Sequence, residues 1–204
     1  MKFPNAKILI FCKAPIPGEV KTRLTPHLTS DQAAELYKQL ANETINLVIQ
    51  SKLCNVELWC SPDTKHSFLK SFELDLKQQQ GNDLGERMSN AFSASLESFS
   101  SVVLIGTDSP SMTIDLLDRT LSELENKSDV VIAPAEDGGY TLIGMNNHYG
   151  SIFENVLWGS ERVFDQTIEK INALNLNLHL LPMQWDLDRP DDLKRYLDSK
   201  NNKS

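Results

Sequence analysis

Short apolar runs alternate along this chain with segments whose apolar residues recur at helical spacing. Continuous runs rich in β-branched and aromatic residues are typical of strands that are covered on both faces. They predict buried strands over residues 6–12, 56–60, 102–105, 129–133 and 176–181. Strands that alternate with helices favour a mostly parallel sheet in a three-layer α/β/α sandwich.

The segments between these runs predict helices with recognisable starts. Thr29 and Gln32 form a plausible capping box, Asp83 precedes another amphipathic segment, and Ser160 is a candidate cap further along the chain. Gly138 and Gly139 predict a tight turn, because adjacent glycines allow positive φ, and residues 141–144 are predicted to be extended after it. The predicted helices cover residues 33–48, 64–72, 84–99, 114–124, 163–171 and 193–197, and residues 199–204 are predicted to be a frayed tail.

Length and composition restrict the function classes. A chain of 204 residues is long enough for one α/β domain, so we expect a single domain over residues 1–204. No apolar run approaches the roughly 20 residues of a membrane span, and residues 1–7 do not have the pattern of a secretory signal. The cytoplasm is therefore the expected compartment. A net charge of −8 without a basic cluster argues against a nucleic-acid partner.

The three cysteines do not have the spacing of a metal or redox motif. Cys12 and Cys60 lie inside apolar runs, and Cys54 is too far from Cys60 for a CxxC pair. Buried thiols in a reducing compartment are the interpretation that the pattern favours.

Two short acidic segments follow apolar runs and carry the strongest chemical signal. Asp108 comes after the run at residues 102–105, and Asp188 after the run at residues 176–181. Ligands of open α/β sheets bind where strands end, and carboxylate oxygens suit Mg²⁺ or Mn²⁺. We therefore expect Asp108 and Asp188 to share a divalent cation with a diphosphate. The alternative is that each aspartate only caps a turn, since Asp before Ser-Pro or Arg-Pro is a common helix-start signal.

The loop after the first run brings two cations to the same expected edge. Lys21 and Arg23 are placed where phosphates would bind, and a guanidinium can grip phosphate oxygens with two hydrogen bonds. The loop is not a Walker loop and does not contain the glycine pattern of a dinucleotide-binding turn. A pair of solvated loop side chains is the alternative.

A series of segments in one order gives the chain a family resemblance. The sequence resembles small bacterial glycosyltransferases with the Rossmann-like GT-A, or nucleotide-diphospho-sugar transferase, fold, some of which are linked to arsenosugar biosynthesis. It is more distantly similar to 2-phospholactate guanylyltransferase and molybdenum-cofactor guanylyltransferase. The segments that carry the resemblance are Phe11 to Pro15, Gly18, Lys21 to Leu24, Gln80-Gly81, Asp83 to Met88, Gly106 to Pro110, Glu136 to Tyr140 and Asp186 to Pro190.

The resemblance implies roles for particular residues. It implies that the first loop holds the nucleotide, that Asp108 is the acidic metal ligand and that Asp188 is the second carboxylate near the metal. The alternative to an acceptor-side role is a core or rim aromatic for Trp158 and a plain hairpin turn for Gly138 and Gly139. The implied nucleotide-binding residues are Ala14, Pro15, Lys21, Arg23, Gln80, Gly81 and Gly85, and the implied acceptor side is Gly138, Gly139, Tyr140, Trp158 and Ser160.

These expectations predict a transferase that moves a sugar from a nucleotide diphosphate to a hydroxyl of a small-molecule acceptor, assisted by Mg²⁺ or Mn²⁺. Asp137 is the candidate general base if the reaction inverts configuration. The second functional hypothesis is nucleotidyl transfer from an NTP to a phosphorylated small molecule. Pro15 and Pro17 weigh against it because they cannot donate backbone hydrogen bonds to a triphosphate. The third functional hypothesis is a nucleotide-binding domain that does not catalyse a reaction.

Overall fold

The protein is described by a computed structural model that covers residues 1–25 and 27–201. In the described residues, seven strands form one sheet in the order β3-β2-β1-β4-β6-β5-β7, and β6 runs antiparallel to its two neighbours. The other pairings are parallel. The strands are β1 (Ala6–Lys13), β2 (Asn55–Ser61), β3 (Asp75–Gln78), β4 (Ser101–Ile105), β5 (Val130–Pro134), β6 (Tyr140–Met145) and β7 (Leu178–Leu180).

Helices cover both faces of this sheet. Two single turns of 3-10 helix lie at Thr22–Leu24 and Gly150–Phe153. Apolar side chains of α1 and α4 pack in one core layer, and those of α3 and α5 pack in the layer on the other face. The helices are α1 (Ser30–Ser51), α2 (Ser67–Lys70), α3 (Leu84–Leu96), α4 (Ile114–Asn126), α5 (Val163–Ala173) and α6 (Pro190–Asn201). The predicted three-layer, mostly parallel architecture is confirmed.

Local sequence signals explain where the main helices begin. The Thr29 hydroxyl accepts from the Gln32 amide at 3.2 Å, and the Gln32 side chain accepts from the Thr29 amide at 2.9 Å, which confirms the predicted capping box. The Asp83 carboxylate accepts from the Glu86 amide at 2.8 Å and starts α3 as predicted. Ser160 is not the cap of α5, because that helix begins at Val163 and its N-cap residue is Arg162.

Other departures from the sequence predictions concern short elements. β3 was not predicted, since its four residues have no apolar run and only one of them is partly buried. The helix predicted over residues 64–72 is limited to α2, and the predicted strand 176–181 to β7. Residues 199–201, predicted to be frayed, form the last turn of α6, and residues 202–204 lie outside the described residues. Within residues 1–25 and 27–201, no helix has the length and apolar composition needed to cross a membrane.

Candidate active site

A cleft of about 1180 Å³ lies at the edge of the sheet where the parallel strands end. The segments that follow β1, β4 and β5 line this cleft, and so does the start of β6. β6 contributes its first residues rather than its last because it runs antiparallel to β4 and β5. The cleft therefore lies where open α/β sheets bind their ligands.

Hydrogen bonds hold the two acidic segments side by side. The Leu187 amide donates to the Asp108 carbonyl at 2.9 Å, and the Ser109 hydroxyl donates to the Trp185 carbonyl at 2.9 Å. The Trp185 amide donates in turn to the Ser111 hydroxyl at 3.2 Å. The loop after β4 and the loop before α6 are thus joined, which brings together aspartates that are 80 residues apart in sequence.

Each predicted metal-site aspartate is paired with one of the two predicted phosphate-site cations. Lys21 Nζ donates to Asp108 Oδ2 at 3.0 Å, and Arg23 Nη1 donates to Asp188 Oδ2 at 2.5 Å. The Lys21 side chain is 3% exposed, whereas the Arg23 side chain is 58% exposed. Lys21 adopts the left-handed backbone conformation, with φ of 48°, just before the 3-10 helix that carries Arg23. The first pair thus joins a buried ammonium to a carboxylate that is 44% exposed, whereas the second pair lies at the surface.

Electrostatics differ among the aspartates of the cleft. Burial alone would raise the pKa of the Asp108 carboxyl, but the adjacent Lys21 ammonium lowers this pKa below its ordinary value. Burial raises the pKa of the Asp186 carboxyl to about 8, and repulsion from Asp108 and Asp137 adds to the increase. Lys21 opposes this effect without cancelling it. With this pKa, Asp186 keeps its proton at neutral pH, whereas Asp108 is ionised.

A buried tyrosine supports the floor of the cleft. The Tyr37 hydroxyl, which projects from α1, accepts from the Lys13 amide at 2.8 Å and lies 3.0 Å from the Thr107 hydroxyl. Cys12 Sγ lies 3.6 Å from the same oxygen. Burial raises the pKa values of the Tyr37 hydroxyl and the Cys12 thiol, the latter to about 12, so both groups are neutral. Tyr37 thereby links the end of β1 to the residue that precedes Asp108.

The turn between β5 and β6 packs against the start of α5. The Gly139 amide donates to Asp137 Oδ1 at 2.9 Å, and the Phe164 amide donates to the Gly138 carbonyl at 2.8 Å. Gly138 has φ of +87°, and a Cβ at this position would come within 2.1 Å of the Glu161 carbonyl oxygen. Of the two adjacent glycines, only Gly138 uses a positive φ. The turn is held against the segment before α5 by a contact that requires glycine.

Trp158 forms an aromatic wall of the cleft and is seated against α3. A Cβ added to Gly85 would lie 2.6 Å from Trp158 Nε1 and 2.7 Å from the Phe153 carbonyl oxygen. The centre of the Trp158 ring lies 6.5 Å from that of Phe153. The indole nitrogen is buried, and no described residue accepts its hydrogen bond. Close packing against Trp158 and Phe153 therefore requires glycine at position 85, independently of any contact with a nucleotide.

Comparison with known proteins places this geometry in a family. Residues 44–160, more than half of the chain, match a family described as an uncharacterized protein conserved in bacteria, DUF2064. The chain belongs to the DUF2064 family. It is also similar to a candidate nucleotide-diphospho-sugar transferase from Desulfovibrio desulfuricans G20, with 31% identity and a TM-score of 0.91. That match covers 99% of this chain and 90% of the other.

More distant similarities extend beyond the DUF2064 family. The chain is 24% identical over 185 residues to 2-phospho-L-lactate guanylyltransferase of Methanosphaera stadtmanae, which is 87% of this chain and 78% of that protein. The manganese complex of Rv0371c from Mycobacterium tuberculosis H37Rv has a TM-score of 0.59 at 14% identity, covers 96% of this chain and 99% of the other, and shares the fold. The predicted family resemblance, the GT-A-like fold and the enzyme class, a transferase, are confirmed.

Most of the predicted site residues of this DUF2064 protein line the one cleft. Those that do are Lys21, Arg23, Asp108, Asp137, Gly138, Gly139, Tyr140, Trp158, Ser160 and Asp188. The Ser160 hydroxyl donates to the Leu157 carbonyl at 2.7 Å, so it also holds its own loop together.

Five of the predicted nucleotide-binding residues do not line the cleft. Ala14 is buried, and Pro15 faces a separate groove beside α1 and α2. The carbonyls of Gln80 and Gly81 accept hydrogen bonds from Asn90 and Arg87. Gly85, the fifth residue, packs against Trp158 as described. Gln79 and Leu84, the immediate neighbours of Gln80 and Gly85, are the residues that face the cleft.

Sequence reasoning did not select Asp186, which the structure places among Asp108, Asp137 and Asp188. The signal was present, since Asp186 lies two residues before Asp188 in the same acidic segment. Because side chains two residues apart in an extended segment point the same way, either aspartate was an equal candidate. Lys13 is a second residue that was not selected. It lines the cleft, and its charge lowers the pKa of the Asp108 carboxyl by less than the charge of Lys21 does.

The donor set of the cleft suits a hard cation. Asp108, Asp186 and Asp188 offer only oxygen atoms, and their mutual repulsion would be relieved by a bound cation. No group of three or more His, Cys, Asp or Glu side chains is already arranged around a metal position in residues 1–25 and 27–201. This arrangement fits Mg²⁺ or Mn²⁺ better than a structural metal, because such ions commonly take one or two carboxylates and complete their shell with phosphate and water.

Proposed function

We propose that this DUF2064 protein transfers a sugar from a nucleotide diphosphate to a hydroxyl group of a small-molecule acceptor, assisted by Mg²⁺ or Mn²⁺. The observation that carries the proposal is that Lys21 pairs with Asp108 and Arg23 pairs with Asp188 at the edge of the sheet where the parallel strands end. Two cations and two carboxylates alternate there within one cleft. A bound diphosphate can pair with Lys21 and Arg23 in place of the aspartates, and a metal ion can then bind the aspartate carboxylates.

The metal would be held by Asp108 together with Asp186 or Asp188, and it would supply charge stabilisation to the diphosphate leaving group when bound. Lys21 is fixed by burial and would offset developing negative charge without having to reorganise. Arg23 is exposed and would provide a fork for the outer phosphate oxygens. The manganese complex of Rv0371c, a protein of the same fold, supports this choice of metal.

Asp137 is the residue that we propose as general base for an inverting reaction. It is exposed and lines the cleft at the start of the β5–β6 turn, as the loop that bears Lys21 and Arg23 also does. Its Oδ1 atom accepts from the Gly139 amide, which fixes the orientation of the carboxylate. Fixed orientation is what a base needs in order to meet the acceptor hydroxyl at hydrogen-bond distance.

Nucleotidyl transfer from an NTP is the second candidate, and similarity to 2-phospho-L-lactate guanylyltransferase favours it. The first loop argues against it. The amides of Ala14, Ile16 and Glu19 donate to carbonyls of the protein at 2.7, 2.8 and 3.0 Å, and Pro15 and Pro17 have no amide hydrogen. The part of the loop from Ala14 to Pro17 therefore has no backbone donor left to cradle a triphosphate as a glycine-rich loop does.

Two assays on the same protein separate the candidates. Thermal-shift screening of UDP, GDP, CDP, dTDP and their sugars with Mn²⁺ identifies the donor, because a ligand at a hundredfold excess over its Kd stabilises the fold by about 2.7 kcal/mol. Turnover of the selected donor is then compared with pyrophosphate release from each NTP in the presence of phosphorylated acceptors. Pyrophosphate release that exceeds sugar transfer would overturn the proposal. Nucleotide binding that is equal with and without metal, and normal in Asp108→Ala, would indicate a non-catalytic binding domain.

A further inference from the structure

One side of the cleft differs in chemistry from the phosphate side. We call the cleft-lining residues of 136–143 and 158–165 the acceptor rim. Its carboxylates are Glu136, Asp137, Glu161 and Asp165, whereas Arg162 is its one cation among the described residues. The cleft outside this rim is mixed in charge, since the basic residues Lys13, Lys21, Arg23 and Arg189 line it together with the acidic residues Glu19, Asp108, Asp186, Asp188 and Asp192.

The negative charge of the acceptor rim is only partly neutralised. Arg195 of α6 pairs with Glu136 at 2.9 Å. In residues 1–25 and 27–201, no ion pair within 4 Å engages Asp137, Glu161 or Asp165. These three exposed carboxylates outnumber Arg162. A ligand group that carries a phosphate or carboxylate would meet net repulsion on this side, and it would have few donors to replace its lost hydration.

The wall of the acceptor rim is aromatic and apolar. Trp158 and Tyr140 are half-buried, Ile143 is fully buried below them, and Val163 is 6% exposed. Because Trp158 is fixed against Gly85, its indole offers a rigid surface to a ligand. Thr141 is 6% exposed, lines the cleft, and has a hydroxyl with no partner among the described residues. An unpartnered hydroxyl at the base of an apolar wall fits a ligand that has a hydrogen-bonding group of its own.

We infer that the acceptor is an alcohol with an apolar or ring-shaped body that carries neither phosphate nor carboxylate. The inference rests on the proposed function, because it assigns the acceptor rim to the second substrate. It goes further in excluding phosphate monoesters, the acceptor class that nucleotidyl transfer would require. Trp158 packs on the body of the acceptor, the carboxylates surround its hydroxyls, and the hydroxyl that receives the sugar faces Asp137.

The experiment measures binding of matched compounds rather than turnover. Three pairs are titrated into ¹⁵N-labelled protein: 4-nitrobenzyl alcohol, cyclohexanol and methyl β-D-glucopyranoside, each against its phosphate monoester. The readout is the indole N–H resonance of Trp158, identified by its absence from the Trp158→Phe spectrum. We expect at least one alcohol to shift this resonance, and its phosphate ester to require at least a tenfold higher concentration.

A charge-reversed variant tests the cause of the selectivity. Glu161→Lys with Asp165→Lys makes the acceptor rim net positive, and the preference for the alcohol should fall to threefold or less. Glu154→Lys with Glu169→Lys is the matched control, since both residues are exposed, lie in the same part of the chain and do not line the cleft. The control should keep the full preference.

Two outcomes would overturn the inference. One is a phosphate ester that binds as tightly as its alcohol or more tightly, and the other is the absence of any shift at Trp158 with all three alcohols at 50 mM. Addition of nucleoside diphosphate and Mg²⁺ to the same samples reports separately on the phosphate side. Loss of nucleotide binding would contradict the proposed function, while the comparison within each pair would still decide the chemistry of the acceptor rim.

Discussion

The Leu187 amide donates a 2.9 Å hydrogen bond to the Asp108 carbonyl, and this bond joins the two acidic segments of the chain. It is a backbone interaction, so it does not depend on whether the carboxylates are ionised or bound to a ligand. The backbones that carry Asp108, Asp186 and Asp188 therefore stay side by side whether or not a ligand is bound.

Removing the charge of Asp108 should cost both activity and stability. The Lys21 side chain is 3% exposed, so Asp108→Asn leaves a buried ammonium without its counter-ion. The Asp108 side chain is itself 44% exposed, so solvent screens part of the cost, and we expect a loss of about 2 kcal/mol in urea unfolding together with loss of transfer activity. The double change Asp108→Asn with Lys21→Met should recover most of the stability and none of the activity. An Asp108→Asn protein as stable as wild type would show that Lys21 is solvated.

Asp188→Asn is the matched control for this pair. Its partner Arg23 is 58% exposed, so the pair contributes at most about 1 kcal/mol. We expect a change in stability below that value and a large loss of metal-dependent activity. The two variants thus separate the pair with the buried ammonium, which supports the fold, from the surface pair. Equal losses of stability in the two proteins would contradict the distinction.

Tyr37 is expected to act as a positioning residue. Tyr37→Phe removes the acceptor of the Lys13 amide and the partner of Thr107, which should cost about 1 kcal/mol and lower kcat about tenfold. Tyr196→Phe is the control, because its hydroxyl also bonds to side chains, Gln39 and Glu43, but lies outside the cleft. It should lose similar stability and keep full activity. Parallel effects on kcat in the two variants would show that Tyr37 has no positioning role.

Gly85→Ala should destabilise the protein although alanine is the better helix former. In an open helix the change would gain about 1 kcal/mol. Here the added methyl group would lie 2.6 Å from Trp158 Nε1 and 2.7 Å from the Phe153 carbonyl oxygen, so we expect a net loss of about 2 kcal/mol. Thermal unfolding gives the stability, and Trp fluorescence reports the displaced indole. A stabilised Gly85→Ala protein would mean that Trp158 moves away freely.

The raised pKa of Asp186 predicts a specific pH dependence of stability. With a folded-state pKa of about 8 against an ordinary value of 3.8, the folded protein retains a proton that the unfolded chain releases between these values. The free energy of unfolding should therefore fall as pH rises through this window and level off above pH 8. In Asp186→Asn this decrease should be smaller by at least about 1 kcal/mol between pH 5 and pH 8.5.

Urea unfolding at these two pH values, in buffer with EDTA, measures the difference. Asp198→Asn removes one negative charge from an exposed position on α6 outside the cleft and serves as control. An unchanged pH dependence in Asp186→Asn would mean that Asp186 is ionised in the folded protein throughout this range.

The sequence contained enough information for the fold and for the edge where the site lies, but not for every residue of the site. Strands such as β1 and β4 contain short continuous apolar runs, Ile8 to Cys12 and Val102 to Ile105, whose length and β-branched content identify them. β3 has no such pattern because it lies at the edge of the sheet. Asp186 was not chosen because spacing cannot decide which of two aspartates faces a common centre. That decision depends on tertiary hydrogen bonds such as the one between Leu187 and Asp108.

The reversed direction of β6 has an evolutionary consequence. A parallel strand would require a crossover helix to reach this position, whereas β6 follows β5 through the short turn that carries Asp137, Gly138 and Gly139. The first segment of the proposed acceptor rim, residues 136–143, is therefore encoded in a compact stretch, separate from the loop that bears Lys21 and Arg23. Under the proposed function, mutations in this stretch would alter the choice of acceptor while the donor-binding loop is inherited unchanged.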